Sequence, residues 1–210
     1  VLVLDAVQAG AHSLAALTEA TGLSRATAHR LAVALEVHHF LAREGDGRWR
    51  PGPRLAASGT DTLLERAAPV LARLRDLTGE SAQLYRRQGD HRVCVAAADL
   101  GSGLRDTVPV GSALPMTAGS AAQVLLAFAA VEPPEGAAFT ERTLSEVRRR
   151  GWAHSVGERE QGVASVSAPV FGPDGRLIGA VSVSGPLERL GRQPGRLHAA
   201  AVLTAAKELS

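Results

Sequence analysis

Residues 13–31 read SLAALTEATGLSRATAHRL, and this stretch decides the architecture of the N-terminal part of the chain. Ser13 is placed to cap a helix, because its hydroxyl can accept from the free N–H groups of a first turn. Leu14, Leu17 and Ala20 then recur on one helical face. Thr21-Gly22 ends that helix, since glycine enters the left-handed backbone of a sharp turn without a Cβ penalty. Leu23 plugs the space between helices, and Ser24 caps the next one, whose inward positions are Ala28, Leu31, Val33 and Leu35. Two short helices about a tight glycine turn, the second capped by serine, are the helix-turn-helix layout.

Working outward, residues 1–8 form another short apolar segment, stopped at Gly10. On the other side, Phe40-Leu41-Ala42-Arg43 and Arg48-Trp49-Arg50 flank Glu44-Gly45-Asp46-Gly47, a β-hairpin pattern. A hairpin directly after the third helix is a wing. The start of that helix is crowded with Ser24, Arg25, Ala26, Thr27, His29 and Arg30, which in this motif face base edges in the major groove. Arginine bonds guanine bidentately, and serine or threonine can bond bases or phosphates. Arg43, Arg48 and Arg50 on the wing, with Arg54 beside it, are placed for phosphates or the minor groove. Residues 1–54 carry six arginines against five acids, so attraction to DNA is local and two copies on a two-fold site are expected.

Composition is consistent with this. The 210 residues are 45% hydrophobic and 21% charged, as in an ordinary soluble protein of one or two domains. The pI of about 9.3 reflects arginine rather than charge excess: Lys207 is the only lysine and the formal net charge is +2. No apolar run approaches the ~18–20 residues of a membrane helix, and no secretory leader is evident, so a cytoplasmic protein with no membrane partner is expected. The chain opens without Met inside an apolar run, as a trimmed piece of a longer protein would. Cys94 is the single cysteine, which excludes an intrachain disulfide and a Cys-rich zinc site.

Near Pro51 to Thr60 the pattern changes. The expected organisation is a winged helix-turn-helix over 1–55, a helical linker over 56–79 and an α+β domain over 80–210. In the linker, Leu63, Leu64, Ala67, Val70, Leu71, Leu74 and Leu77 keep helical spacing, and Pro69 should kink the helix or start a second one. Beyond it, Ser81 to Tyr85 and Arg92 to Ala98 read as strands about the loop 87–90, with a third extended piece at Thr107 to Gly111. Helices follow over 118–130 and 140–150. Then come strands over 152–156, 163–171 and 177–184, the last two joined by the strong turn Gly172-Pro173-Asp174-Gly175, and a closing helix over 197–209. A mostly antiparallel sheet carrying helices resembles a GAF-like sensor fold.

Catalytic signatures are missing: no nucleophile elbow, no P-loop, and Gly101-Ser102-Gly103 lacks the third glycine of a dinucleotide fingerprint. His38 and His39 are adjacent and point to different helix faces, so no metal pair forms. Cys94, amid Val93, Val95 and Ala96, reads as inert core. No catalytic residue, metal or cofactor is therefore expected. The strands carry hydroxyls instead. Ser165 and Ser167 alternate along one strand and Ser182 and Ser184 along its partner, with Val166, Val181 and Val183 on the opposite face. Facing solvent, the row does nothing; facing a pocket, it binds a small polar ligand such as an amino acid or carboxylate, which Arg105 or Arg159 can neutralise.

The whole arrangement resembles the IclR family of bacterial transcriptional regulators. The likeness rests on Leu23 through Leu31 and the wing, then on Leu74 through Ser81, Gly111 with Leu114-Pro115-Met116, Arg150-Gly151-Trp152, Ala168-Pro169-Val170 and Ser182 through Pro186. Residues 79–90, 102–116 and 157–170 look like the actinobacterial NdgR/LtbR subgroup, associated with leucine biosynthesis and amino-acid-dependent growth. The resemblance implies a palindromic operator in double-stranded DNA, a homodimer or tetramer, and an effector-binding C-terminal domain. It implies effector contacts from Gly111, Ser112, Ser155, Ser165, Ser182 and Ser184. The family often carries an acid where Ser155 stands and a longer helical insert at 131–139, so the small oxo-acids of distant relatives are not carried over. The competing reading is a small-molecule sensor that acts through a protein partner.

Overall fold

The computed structural model of the chain describes residues 2–52, 54, 62–101 and 103–210. It divides into two compact units, 1–61 and 62–210. Residues 56–61 of the expected linker lie outside the described residues.

The first unit holds α1 (Leu2–Gln8), α2 (Leu14–Thr21), α3 (Arg25–Val37), β1 (Leu41–Arg43) and β2 (Trp49–Pro51). Ser13 Oγ accepts from the Ala16 amide at 3.1 Å, and Ser24 Oγ accepts from the Thr27 amide at 3.3 Å, so both helices start at serine caps. Gly22 lies at φ 68°, the left-handed turn the motif requires. Val3, Val7, Leu17, Ala32, Leu41 and Trp49 form the core. His12 locks the hairpin to it: the Trp49 amide donates to His12 O at 2.7 Å, and His12 Nδ1 bonds Trp49 O at 2.8 Å. β1 and β2 pair antiparallel with Ala42 opposite Arg50. Two expected core positions differ. Ala20 is exposed, and Leu31 keeps 43% of its surface. The buried face of α3 runs through Ala28 and Ala32, one turn apart, which rotates Leu31 to its flank.

The second unit begins with α4 (Thr62–Thr78). Pro69 lies inside this helix on its exposed side and starts no second one. Leu63, Ala67, Val70, Leu71 and Leu74 are buried, so the described part of the expected linker belongs to a core, while Leu77 is exposed. There follow β3 (Ser81–Gln88), β4 (His91–Ala98), β5 (Ala113–Pro115), α5 (Ser120–Phe128), α6 (Glu141–Arg150), β6 (Ala153–Val156), β7 (Val163–Phe171), β8 (Leu177–Pro186), α7 (Leu187–Leu190) and α8 (Pro194–Leu209). The six strands form one antiparallel sheet in the order β5-β4-β3-β8-β7-β6. β3 and β4 run longer than their sequence pattern indicated, leaving only Gly89-Asp90 as the turn. The extended piece at 107–111 is not a strand; the edge strand is β5, two residues later.

Strand alternation assigns the two sheet faces. Ala82, Leu84, Val95, Val166, Ala168, Val170, Val181 and Val183 pack with α4 and α8. Tyr85, Cys94 and Ala180 pack with α5 and α6 on the other side. Gln83, Ser165, Ser167, Ser182 and Ser184 share the parity of that second face. The serine row is therefore turned toward α5 and away from solvent.

Candidate DNA-binding face and effector cavity

On the first unit, Arg25, Ala26, His29 and Arg30 are exposed along α3, and Thr27 is half-buried. Thr27 and Ser24 share a hydroxyl hydrogen bond of 2.9 Å, so this pair serves the cap as well as the surface. The ring of His29 stands edge-on to Trp49 at 6.5 Å, which braces it. The wing arginines are engaged within the wing. Arg43 lies 4.9 Å over the Trp49 ring and donates to Gly47 O, Arg48 sits 3.6 Å from Asp46, and Arg50 sits 3.7 Å from Glu44. Exposed pairs of this kind contribute about 0–1 kcal/mol, so phosphate oxygens can replace the acids at little cost.

On the second unit, a cavity of about 20 Å³ lies between the sheet and the start of α5. That is room for about one water. Tyr85, Arg92, Asp106, Gly119, Ser120, Ser155, Arg159, Ser165, Ser182 and Ser184 line it. Four of the residues that the family resemblance implies for the effector meet there. Gly111 and Ser112 do not: the Gly111 amide donates to Cys94 O at 2.7 Å and Ser112 O accepts from the Cys94 amide at 3.0 Å, so backbone pairing beside β4 occupies them.

The serines satisfy one another. Ser155 and Ser165 lie 2.8 Å apart, Ser165 and Ser120 2.6 Å, and Ser120 and Ser167 2.7 Å. Ser167 donates to Ser182 at 2.9 Å, and Ser184 donates to Gln83 Oε1 at 3.1 Å. Buried hydroxyls need such partners, because an unpaired one costs about 1–3 kcal/mol. A ligand entering here therefore exchanges hydrogen bonds with an existing network.

The charges around the cavity come from residues that periodicity did not single out. Arg92 is 3% exposed, and burial pushes its guanidinium down to about 10, still cationic at neutral pH. It donates to Pro115 O and lies over the Tyr85 ring, but its Nε has no partner. Burial also raises the Tyr85 phenol well above its ordinary range, keeping it neutral. Burial lowers Arg159, but the 2.6 Å bond to Asp106 together with the charges of Asp106 and Glu160 and the nearby Tyr85 holds it above its ordinary value. Arg159 is thus spent on Asp106, and Arg105 is exposed. Glu158 stands at the α5 N-terminus: its Oε2 accepts from the Gly119 amide at 2.8 Å and its Oε1 from Gln123 Nε2 at 2.9 Å. The available sequence signal was an arginine on β4 at the same parity as Cys94, a charge where the pattern demands core.

Cys94 is fully buried, and burial pushes its thiol up to about 12, so it is no nucleophile at neutral pH. Among the described residues no group of three or more His, Cys, Asp or Glu could hold a metal ion, and no helix is long and apolar enough to cross a membrane.

A winged helix with an arginine-bearing third helix, carried in one chain with an antiparallel α+β unit that encloses a polar cavity, defines a DNA-binding transcriptional regulator. The chain belongs to the IclR family. Residues 2–45 match the IclR helix-turn-helix domain and residues 56–210 the bacterial transcriptional regulator IclR C-terminal domain. The chain is 29% identical to the HTH-type transcriptional regulator BhcR of Paracoccus denitrificans, over 100% of its own length and 83% of that protein. It is 32% identical to the glycerol operon regulatory protein of Streptomyces griseus, over 84% and 78%. A solved IclR-family regulator from Rhodococcus sp. shares the fold with TM-score 0.65 and 28% identity, over 99% of this chain and 90% of that one. An IclR homologue from Microbacterium hydrocarbonoxydans, solved with 4-hydroxybenzoate, superposes with TM-score 0.62 at 21% identity, over 99% and 95%. These relatives are transcriptional or operon regulators.

Proposed function

We propose that this chain is a one-component cytoplasmic regulator of amino-acid metabolism, with leucine biosynthesis as the first candidate from its resemblance to the NdgR/LtbR subgroup. Residues 1–55 bind a palindromic operator as a homodimer or tetramer, through Ser24, Arg25, Ala26, Thr27, His29 and Arg30 on the third helix and Arg43, Arg48 and Arg50 on the wing. Residues 56–79 link this domain to the effector domain at 80–210. The effector, an amino acid or other small carboxylate, contacts Ser155, Ser165, Ser182 and Ser184 and prefers one arrangement of the DNA-binding domains. Gly111 and Ser112 act at one remove, by holding the segment that follows the early strands.

The observation that carries this reading is the exposed surface of α3, where Arg25 and Arg30 stand out from the core and His29 is exposed while braced on Trp49, on a helix whose start is capped by Ser24. The test is binding to a duplex carrying the upstream region of the protein's own gene, at two salt concentrations, with and without amino acids and branched-chain intermediates. Specific, steeply salt-dependent binding that one compound alters is the expected result. Equal affinity for random DNA would refute the reading and favour a sensor that acts through a protein partner.

A further inference from the structure

Glu158 is placed as a bound anion would be. Its carboxylate sits on the Gly119 amide at the start of α5, where free N–H groups and the helix dipole favour negative charge. Gln123 donates to its other oxygen, and the buried Arg92 cation, close enough that a Cβ on Gly119 would stand 3.0 Å from Nη2, supplies the counter-charge. Two donors, Arg92 Nε and Gln83 Nε2, and one acceptor, Gln123 Oε1, remain unpaired nearby, buried around the same helix start and serine row. Arg92, Gln123 and Gln83 are at most 3% exposed, so water does not reach these atoms from bulk.

Glu158 is also less enclosed than the groups that hold it. It stands on the six-residue loop 157–162 between β6 and β7, which Gly157 opens at φ 67° and the Arg159–Asp106 bond anchors. The side chain is only half-buried, so a rotamer change moves it to solvent without unpairing a strand. Burial holds its carboxyl above the ordinary carboxylate value, against the Gly119 and Gln123 bonds and Arg92, so the seated state gains less than those contacts alone would give.

We infer that Glu158 is an intramolecular stand-in for the effector: in the ligand-free protein its carboxylate fills the α5 N-terminal seat beside Arg92 and keeps the cavity closed, and a monocarboxylate ligand binds by displacing it. This rests on the proposed reading of the cavity as the effector site. The bound carboxylate takes the Gly119 amide, the Gln123 amide and the Arg92 guanidinium, and its body replaces the water-sized space along the serine row. Ligands without a carboxylate or comparable anion cannot displace Glu158 and are excluded. A seat that is open in roughly one molecule in ten or fewer weakens the apparent affinity for any carboxylate by at least about ten-fold.

The test uses the full chain, with sodium acetate as probe and sodium chloride at matched ionic strength as control. Acetate affinity is measured by calorimetry for the parent protein, Glu158→Ala and the isosteric Glu158→Gln, each first checked for a cooperative melt. Glu158→Ala should bind acetate at least about ten-fold more tightly than the parent, with Glu158→Gln between them because the amide oxygen can still hold the Gly119 amide. In a crystal of Glu158→Ala, acetate should lie on Gly119. Equal acetate affinity in a folded Glu158→Ala and the parent, or acetate bound elsewhere, would overturn the inference. The operator assay separates this from failure of the broader reading. A compound that releases the parent and Glu158→Ala from DNA at the same concentration sinks the displacement and leaves the effector site intact. Tight acetate binding by Glu158→Ala, with no compound acting on the operator complex, upholds the seat and sinks the effector assignment.

Discussion

Gly119→Ala should destabilise the C-terminal unit by an amount that the geometry sets. Gly119 has φ 96° and ψ 152°, a region of backbone space that is essentially closed to residues with a Cβ. Holding alanine there costs about 1–3 kcal/mol. The new Cβ would also stand 3.0 Å from Arg92 Nη2 and 3.7 Å from its Cζ. Arg92 is pinned to Pro115 O, so making room disturbs a charge-assisted hydrogen bond and adds about 1 kcal/mol. The total is roughly 2–4 kcal/mol, and for a unit of 150 or so residues each kcal/mol lowers Tm by about 2–4 °C. Thermal unfolding followed by circular dichroism should therefore show a fall of about 4–16 °C. Gly136→Ala is the matched control: its φ is 74°, but nothing lies within 4 Å of the added Cβ. That variant should lose only about 1–2 kcal/mol, the ordinary cost of a left-handed alanine. If Gly119→Ala melts no lower than Gly136→Ala, the close approach of Arg92 to the α5 N-terminus is refuted.

Arg25→Ala or Arg30→Ala should weaken operator binding by roughly ten- to hundred-fold, the ~1–3 kcal/mol of a base contact, in a fluorescence-anisotropy titration. Unchanged affinity in both removes α3 from the interface. Ser182→Ala combined with Ser184→Ala should blunt the effector response while operator affinity stays within a few-fold; a normal dose–response curve speaks against the serine row. Cys94 should resist iodoacetamide at pH 8 in the folded protein and react on unfolding, because burial keeps its thiol protonated. Burial, reinforced by Arg150, lowers the His154 pKa below 6.5, and burial lowers that of His198 despite nearby Glu80. The unfolded chain then binds more protons as pH falls below 6.5, so stability should drop on acidification through that window. Urea titrations at pH 7.5 and 6.0 should show this loss, and His154→Gln with His198→Gln should flatten it.

Much of the fold was legible because its signals are local. A serine cap needs only the amide three residues on, a left-handed glycine needs only its own backbone, and Gly172 through Gly175 closes a hairpin between strands that already alternate. The exposure of Arg25, His29 and Arg30, which are proposed to face DNA, was legible for the same reason. The inward parity of Ser165, Ser167, Ser182 and Ser184 followed from period two, but whether that face met a pocket or water depended on α5 landing over it. Expectations failed where a neighbour from elsewhere decides. Leu31 fits helical spacing, yet the face of α3 that the winged-helix core accepts passes through Ala28 and Ala32. Gly111 and Ser112 lie near the right strands, yet β4 takes their backbone groups.

By itself the sequence determined the winged helix, the antiparallel character of the second unit and the supply of hydroxyls, since each follows from spacings of a few residues. Only the tertiary structure decided the chemistry of the cavity. Arg92, Gly119 and Glu158 are separated by tens of residues and belong to a strand, a helix start and a loop, with no common period. The sheet order β5-β4-β3-β8-β7-β6 and the helix laid across it set them side by side. There, burial strips water from the Arg92 cation, so its interactions with the helix start and the half-buried Glu158 carboxylate are screened less than in bulk water.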